Sequence, residues 1–214
     1  MNRTPLVDFL LRPFVAVVAR VLFRLKTHNR SVIPKKGGII IAGNHISDWD
    51  PPFVGAAVPR GIYFMAKSEL FRNPISRWFL TSLGAFPVYR KASVNKLALN
   101  TARDHVLAGE GLIIFPEGTR SKDGRMLPAK AGVGHIAHAT GVPVYPFFVS
   151  GTDRPLAALF FRTRFKVRFG EPISPETLMK CHEEGGPGRS AEYIMQKVKE
   201  LKKIEERKKG KMNE

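Results

Sequence analysis

Short apolar runs opened by glycine or proline alternate along this chain with stretches whose apolar residues recur at helical spacing. Gly37–Ala42 (GGIIIA) reads as a buried strand, followed by a loop and a helix that begins near Pro52. Gly61–Ala66 (GIYFMA) is a second strand, leading to a helix over Asn73–Leu83 and a short strand at Ala85–Val88. Helical spacing returns over Val94–Ala108, stops at Gly109, and gives way to a third buried strand at Gly111–Phe115. Ala129–Thr140 predicts a helix ended by Gly141, with a strand over Pro143–Val149 behind it. Thr163–Phe169 (TRFKVRF) alternates with period two, as a half-exposed edge strand does. Apolar strands that alternate with helices predict an α/β fold, a mostly parallel central sheet flanked by helices.

The two ends depart from this pattern. Residues 1–36 interleave eight Lys or Arg with many Leu, Val and Phe, against the single acid Asp8. Arg20 and Arg24 are one helical turn apart with Arg12 near the same face, and Pro13 should split the stretch into two short helices. A basic stripe opposite Phe and Leu predicts an amphipathic helical anchor lying in the headgroup plane of an anionic membrane surface. The plainer alternative is a helix pair packed on the domain, its basic face solvated. From Ser190 onward the sequence is helix-like at first and then a solvated charge run, and reads as a terminal helix that frays. The expected organisation is a membrane-anchoring segment over residues 1–30, an α/β domain over 31–190 and a basic helix or tail over 191–214.

Composition narrows the partners. The chain has 214 residues, 43% of them hydrophobic, enough for a sizeable core. Its one cysteine, Cys181, cannot form an internal disulfide and lies in a stretch that reads as loop. No unbroken apolar run reaches the roughly 18 residues of a spanning helix. Against 18 Asp and Glu stand 35 Lys and Arg, a formal +17 that points to nucleic acid, a membrane face or a phosphorylated small molecule. Nucleic acid is not expected, because the basic residues are dispersed and no aromatic stacking platform accompanies them. A non-enzymatic protein that binds membranes or nucleic acid through this charge is the alternative from another class.

In parallel sheets, ligand chemistry gathers at the carboxyl ends of the strands. GGIIIA runs into Gly43, Asn44 and His45, and five residues on comes Asp50, within NHISDWD. A histidine leaving a rigid strand beside a carboxylate has the parts of a general base and its orienter. The carboxylate fixes the imidazole tautomer and stabilises the cation formed when a proton is taken. Spacing alone is weak evidence, since about 0.17 such pairs arise by chance in a chain of this composition. His105 and Glu110 repeat it inside a predicted helix. No G-x-S-x-G elbow accompanies His45, and Ser47 reads as a loop-ordering side chain, so the substrate is expected to supply the hydroxyl for direct transfer.

The third strand leads into Glu117, Gly118, Thr119 and Arg120. Gly118 permits close approach, Arg120 offers a planar fork for phosphate, and Glu117 could hold a polyol hydroxyl or pair with Arg120. Lys67, Arg90 and Lys130 also follow strand ends or open helices. With Arg120 they would make a phosphate pocket if they converge; singly, each is more simply a solvated charge. His135 and His138 lack the companions of a metal site, and there is no Walker A or G-x-G-x-x-G run, so no metal or nucleotide cofactor is expected.

NHISDWD, GAFPVYR, FPEGTRS and VPVYPF, in that order and at these separations, resemble the four blocks of the glycerolipid acyltransferases, in particular the bacterial 1-acylglycerol-3-phosphate (lysophosphatidate) acyltransferases. The resemblance covers roughly residues 30–170. It implies that His45 is the general base and Asp50 its partner in an H-x-x-x-x-D motif. The base would deprotonate the sn-2 hydroxyl of lysophosphatidate, which attacks an acyl thioester of coenzyme A or acyl carrier protein. Arg90 falls in the phosphate-related second block, and Glu117, Gly118, Thr119 and Arg120 form the acceptor-binding third block. Val142–Phe147 helps shape the site, and Lys67 sits where such sequences often carry a lysine. Tyr89 departs from the family, where an acidic residue is common. The same chemistry on glycerol 3-phosphate or another lysolipid is the nearest alternative. The implied location is the cytoplasmic face of the cell membrane, held peripherally.

Overall fold

A computed structural model describes residues 5–88, 92–121, 123–160 and 163–210. Helix α1 (Pro5–Val21) leads into β1 (Lys26–His28), β2 (Ile39–Gly43), α2 (Asp50–Ala57), β3 (Ile62–Lys67), α3 (Pro74–Ser82) and β4 (Ala85–Val88). There follow α4 (Ala92–Leu107), β5 (Gly111–Ile114), α5 (Gly132–Thr140), β6 (Val144–Ser150), α6 (Pro155–Leu159), β7 (Lys166–Phe169) and α7 (Pro175–Gly210). The described strands form one sheet in the order β1-β7-β6-β2-β5-β3-β4. Every pairing is parallel except that of β6 with β7. Strand β2 is buried along its whole length, as a central parallel strand covered on both faces must be.

Side-chain alternation splits the core into two layers. Ile39 and Ile41 of β2 face a cluster with Ala19, Phe53, Val54, Phe147 and Phe165, which α1, α2, α3 and α6 cover. Ile40 and Ala42 face the opposite cluster, closed by α4, α5 and α7. The register sets Ala42 level with both Ile114 of β5 and Pro146 of β6. The carboxyl ends of three neighbouring strands thus open along one edge, where chemistry collects in sheets of this kind.

Local signals explain the element ends. Asn73 caps α3 by accepting from the Ile75 and Ser76 N–H groups at 2.9 and 3.2 Å, with Pro74 at the first helical position. Gly141 ends α5 in the left-handed region. Pro13 does not split the N-terminal helix: α1 runs through it, and Pro13 lines the same cleft as Pro51 and Pro52 of α2. Among the described residues no helix is long and apolar enough to cross a membrane.

Three expectations change at the C-terminal side. Residues 163–169 do not make an edge strand, because β1 pairs outside β7. The period-two pattern is real, but two of its polar residues, Lys166 and Arg168, meet a carboxylate. Lys166 Nζ and the Arg168 guanidinium donate to Glu205 of α7 at 2.6 and 2.8 Å. Cys181 is a buried helical residue in α7, and burial pushes its thiol up. The stretch from Ser190 is helical as its start suggested, but it packs on the domain instead of standing in solvent: Ala191, Ile194, Met195, Val198 and Leu201 are buried. α7 breaks only at Gly185 and Gly186, whose backbone angles are not helical. β1 at 26–28, inside the stretch expected to anchor, joins the sheet beside β7.

Candidate active site

His45 lies two residues beyond the end of β2, and Asp50 opens α2. The intervening turn brings His45 Nδ1 to 2.8 Å from Asp50 Oδ2. The same oxygen accepts the Ile46 and Ser47 N–H groups at 2.7 and 2.8 Å. The other, Oδ1, accepts the hydroxyl of Thr152, beyond the end of β6. Asp50 is fully buried, so its charge is held by these donors and by the N-terminus of its own helix. A carboxylate accepts, so Nδ1 carries the proton and Nε2 is the nitrogen left to face a substrate. The ring stacks on Phe115 at 4.1 Å between centroids, which fixes its plane. Ser47 orders the turn as its position suggested, its hydroxyl accepting from the Trp49 N–H at 3.2 Å.

Glu117 ties the second loop to the first. Its Oε1 accepts the His45 N–H and its Oε2 the Leu127 N–H, both at 2.9 Å. Ser121 N–H donates back to the His45 carbonyl at 2.8 Å. Burial pushes the Glu117 carboxyl above its usual range, and the two backbone N–H groups pull it part of the way back. At 1% exposure, Glu117 is a brace between loops and not a partner for Arg120 or a reachable ligand for a polyol hydroxyl. Arg120 Nη1 instead meets Asp48 Oδ2 at 2.5 Å.

The remaining predicted residues surround this network without all entering it. Gly118 holds φ +65°, where only glycine is unstrained, and the side chain of Lys130 lies against it. Gly118, Thr119, Arg120 and Lys130 are exposed. Lys67 ends β3 half-buried; continuing the pairing of Phe64 with Ile113 sets it level with Pro116 at the same strand edge. Arg90, with Tyr89, lies outside the described residues.

Thr152, Asp48 and Phe115 complete the site and were not singled out from the sequence. Thr152 follows β6 by two residues, so the strand-end rule that found His45 points to it too. Asn44 is a further brace, its buried amide exchanging two hydrogen bonds with the Val149 backbone at 2.8 and 2.9 Å. His105 stacks on Tyr63 at 3.8 Å and has no part in the site. Among the described residues no cluster of His, Cys, Asp and Glu could hold a metal.

A family model described as Acyltransferase matches residues 24–150. The chain is 33% identical over 163 residues to a 1-acyl-sn-glycerol-3-phosphate acyltransferase of Streptococcus pneumoniae, covering 74% of this chain and 59% of that protein. The same name belongs to a Bacillus subtilis protein 30% identical over 193 residues, covering 88% of this chain and 95% of the relative. The fold resembles the crystal structure of the 1-acyl-sn-glycerophosphate (LPA) acyltransferase of Thermotoga maritima, with a TM-score of 0.69 at 28% identity over 90% of this chain and 80% of that one.

Proposed function

Because the chain belongs to the acyltransferase family, we propose that it moves a fatty acyl group from an acyl thioester to the sn-2 hydroxyl of 1-acylglycerol 3-phosphate, giving phosphatidate for phospholipid synthesis. The observation that carries this reading is the His45–Asp50 pair at 2.8 Å on a strand end, next to an exposed loop bearing Arg120. His45 Nε2 takes the proton of the acceptor hydroxyl as its oxygen attacks the thioester carbonyl. The new C–O bond forms, the C–S bond breaks, and the leaving thiolate takes the proton from the imidazolium, whose charge Asp50 has stabilised. No enzyme nucleophile enters, in keeping with the burial of Cys181 and the commitment of the Ser47 hydroxyl to its turn.

Arg120, supported by Lys130 and Lys67, binds the acceptor phosphate, and Asp48 must yield its place on Arg120 as the phosphate arrives. Arg90 is assigned to the same phosphate by its block. Gly118 and Thr119 shape the loop, and Glu117 braces it. The donor is a thioester of coenzyme A or acyl carrier protein, with no further cofactor. The working location is the cytoplasmic face of the membrane, with the basic N-terminal helix on the anionic surface.

The test is product analysis with purified full chain, offering lysophosphatidate, glycerol 3-phosphate and a lysolipid without a phosphomonoester in parallel. Phosphatidate formed from lysophosphatidate, at rates well above the other two, is the expected result. A preference for glycerol 3-phosphate would move the acceptor assignment, and no transfer from either donor class to any of them would overturn the reading.

A further inference from the structure

Both sides of the sheet leave some apolar side chains exposed, Leu97 and Leu107 of α4 on one, but among the described residues most of the large exposed apolar side chains lie on the other. On the layer made by α1, α2, α3 and α6, helices that turn apolar side chains inward also turn apolar side chains outward. In α3, Leu80 packs on the core while Ile75, Trp78 and Phe79 form one helical stripe at 77%, 61% and 42% exposure. In α1, Ala19 is buried while Phe14, Val17 and Val21 share an exposed stripe. In α6, Ala158 is buried while Leu156, and Phe160 just past its end, stand 70% and 71% exposed. Scattered exposed apolar residues are ordinary, but three helices of one layer repeating the arrangement make a patch that needs a partner.

The charge around the patch says which. Arg20, Arg24, Arg72, Arg77, Arg154 and Arg164 lie in or beside these three helices, against the acids Asp8, Glu69 and Asp153. A two-fold pairing of copies through this face would set like charges against each other. An apolar surface fringed by arginine suits anionic headgroups over acyl chains. The patch also reaches the site: Trp49, 47% exposed in the turn after His45, packs against Phe23 and Phe53 of this layer.

We propose that the chain docks on one leaflet of an anionic bilayer through the whole α1–α3–α6 layer, with α3, a helix inside the α/β domain, as a contact in its own right. This rests on the reading of the chain as working on a lipid acceptor, and widens its N-terminal anchor into a face. The N-terminal helix is then one of three contacts, and a lipid acceptor reaches His45 along the Trp49 edge without leaving the leaflet.

The chain's two tryptophans, Trp49 and Trp78, both belong to this layer. In the full chain with Trp49→Phe, Trp78 is the sole fluorescent reporter. Added to phosphatidylglycerol–phosphatidylcholine vesicles with brominated acyl chains, its emission should be quenched, most strongly by bromines near the headgroups. Separately, Ile75→Ser/Trp78→Ser/Phe79→Ser should weaken vesicle binding by about tenfold or more. Leu97→Ser/Leu107→Ser, on the opposite layer, should not. The triple variant should keep its rate on a water-soluble short-chain acceptor. Unquenched Trp78, or a triple variant that sediments with vesicles as wild type does, would overturn the proposal. So would a change of oligomeric state in the triple variant with vesicle binding intact, which would assign the patch to self-association. Vesicle binding is read without turnover, so it can fail or succeed independently of the acyl-transfer assay.

Discussion

Asp50 holds more of the site's geometry than His45 does. Three N–H groups, from His45, Ile46 and Ser47, converge on Oδ2, and the Thr152 hydroxyl takes Oδ1. Asp50→Asn keeps the shape but offers only one accepting oxygen and weakens the hold on the productive tautomer; kcat should fall about a thousandfold or more with KM little changed. Thr152→Val removes only the hydroxyl donor. It should lower kcat by about tenfold, and Thr152→Ser should recover most of the loss. A purely structural role for Thr152 would instead lower the melting temperature and leave the rate of the folded enzyme intact. Arg120→Ala should raise the acceptor KM by about tenfold or more and leave the donor KM unchanged; an unchanged acceptor KM would remove Arg120 from the phosphate site. The His45–Asp50 pairing was legible because both residues fall in one short turn after an apolar strand. Thr152 was not, because it lies 102 residues from Asp50 and reaches it only through the placement of β6 beside β2.

At the scale of elements, the packing of α7 on β7 depends on a buried ionic cluster. Glu205 of α7 binds Lys166 and Arg168 of β7, and both Glu205 and Arg168 are nearly inaccessible. Burial pushes the Glu205 carboxyl up, but the hydrogen bonds and charges of Lys166 and Arg168 outweigh it and hold the group below its ordinary value of 4.5. A depressed native value gives stability that is fully present above the unfolded-state value and lost as pH falls through the native one. Glu205→Gln should therefore destabilise the chain by about 3–5 kcal/mol near neutral pH, since it leaves two partly buried cations unpaired. The variant should also lose less stability than wild type between neutral pH and pH values below 4.5, measured by thermal unfolding. The sequence showed the alternation in TRFKVRF but not its cause. The partner carboxylate is 37 residues from Arg168, in a stretch whose Lys and Glu excess disguises the apolar spacing of Ala191, Ile194, Val198 and Leu201. The central strands posed no such difficulty, because a parallel strand covered on both faces is an apolar run wherever its neighbours lie.

At the scale of the whole molecule, the strand ends that carry His45 and the Glu117–Arg120 loop lie at one edge of the sheet, between two layers of helices. The formal +17 does not say where an anionic partner would bind, because charge counted along a chain does not say which helices share a layer. What joins surface to site is the chemistry at His45, and thioester consumption measures it most directly. Purified wild type and His45→Ala are offered lysophosphatidate and palmitoyl-CoA in mixed micelles, with free thiol followed over time and folding checked by thermal unfolding. Acceptor-dependent thiol release by wild type, with the folded variant reduced to background, is the predicted result. A correctly folded His45→Ala chain that releases thiol at near the wild-type rate would contradict it.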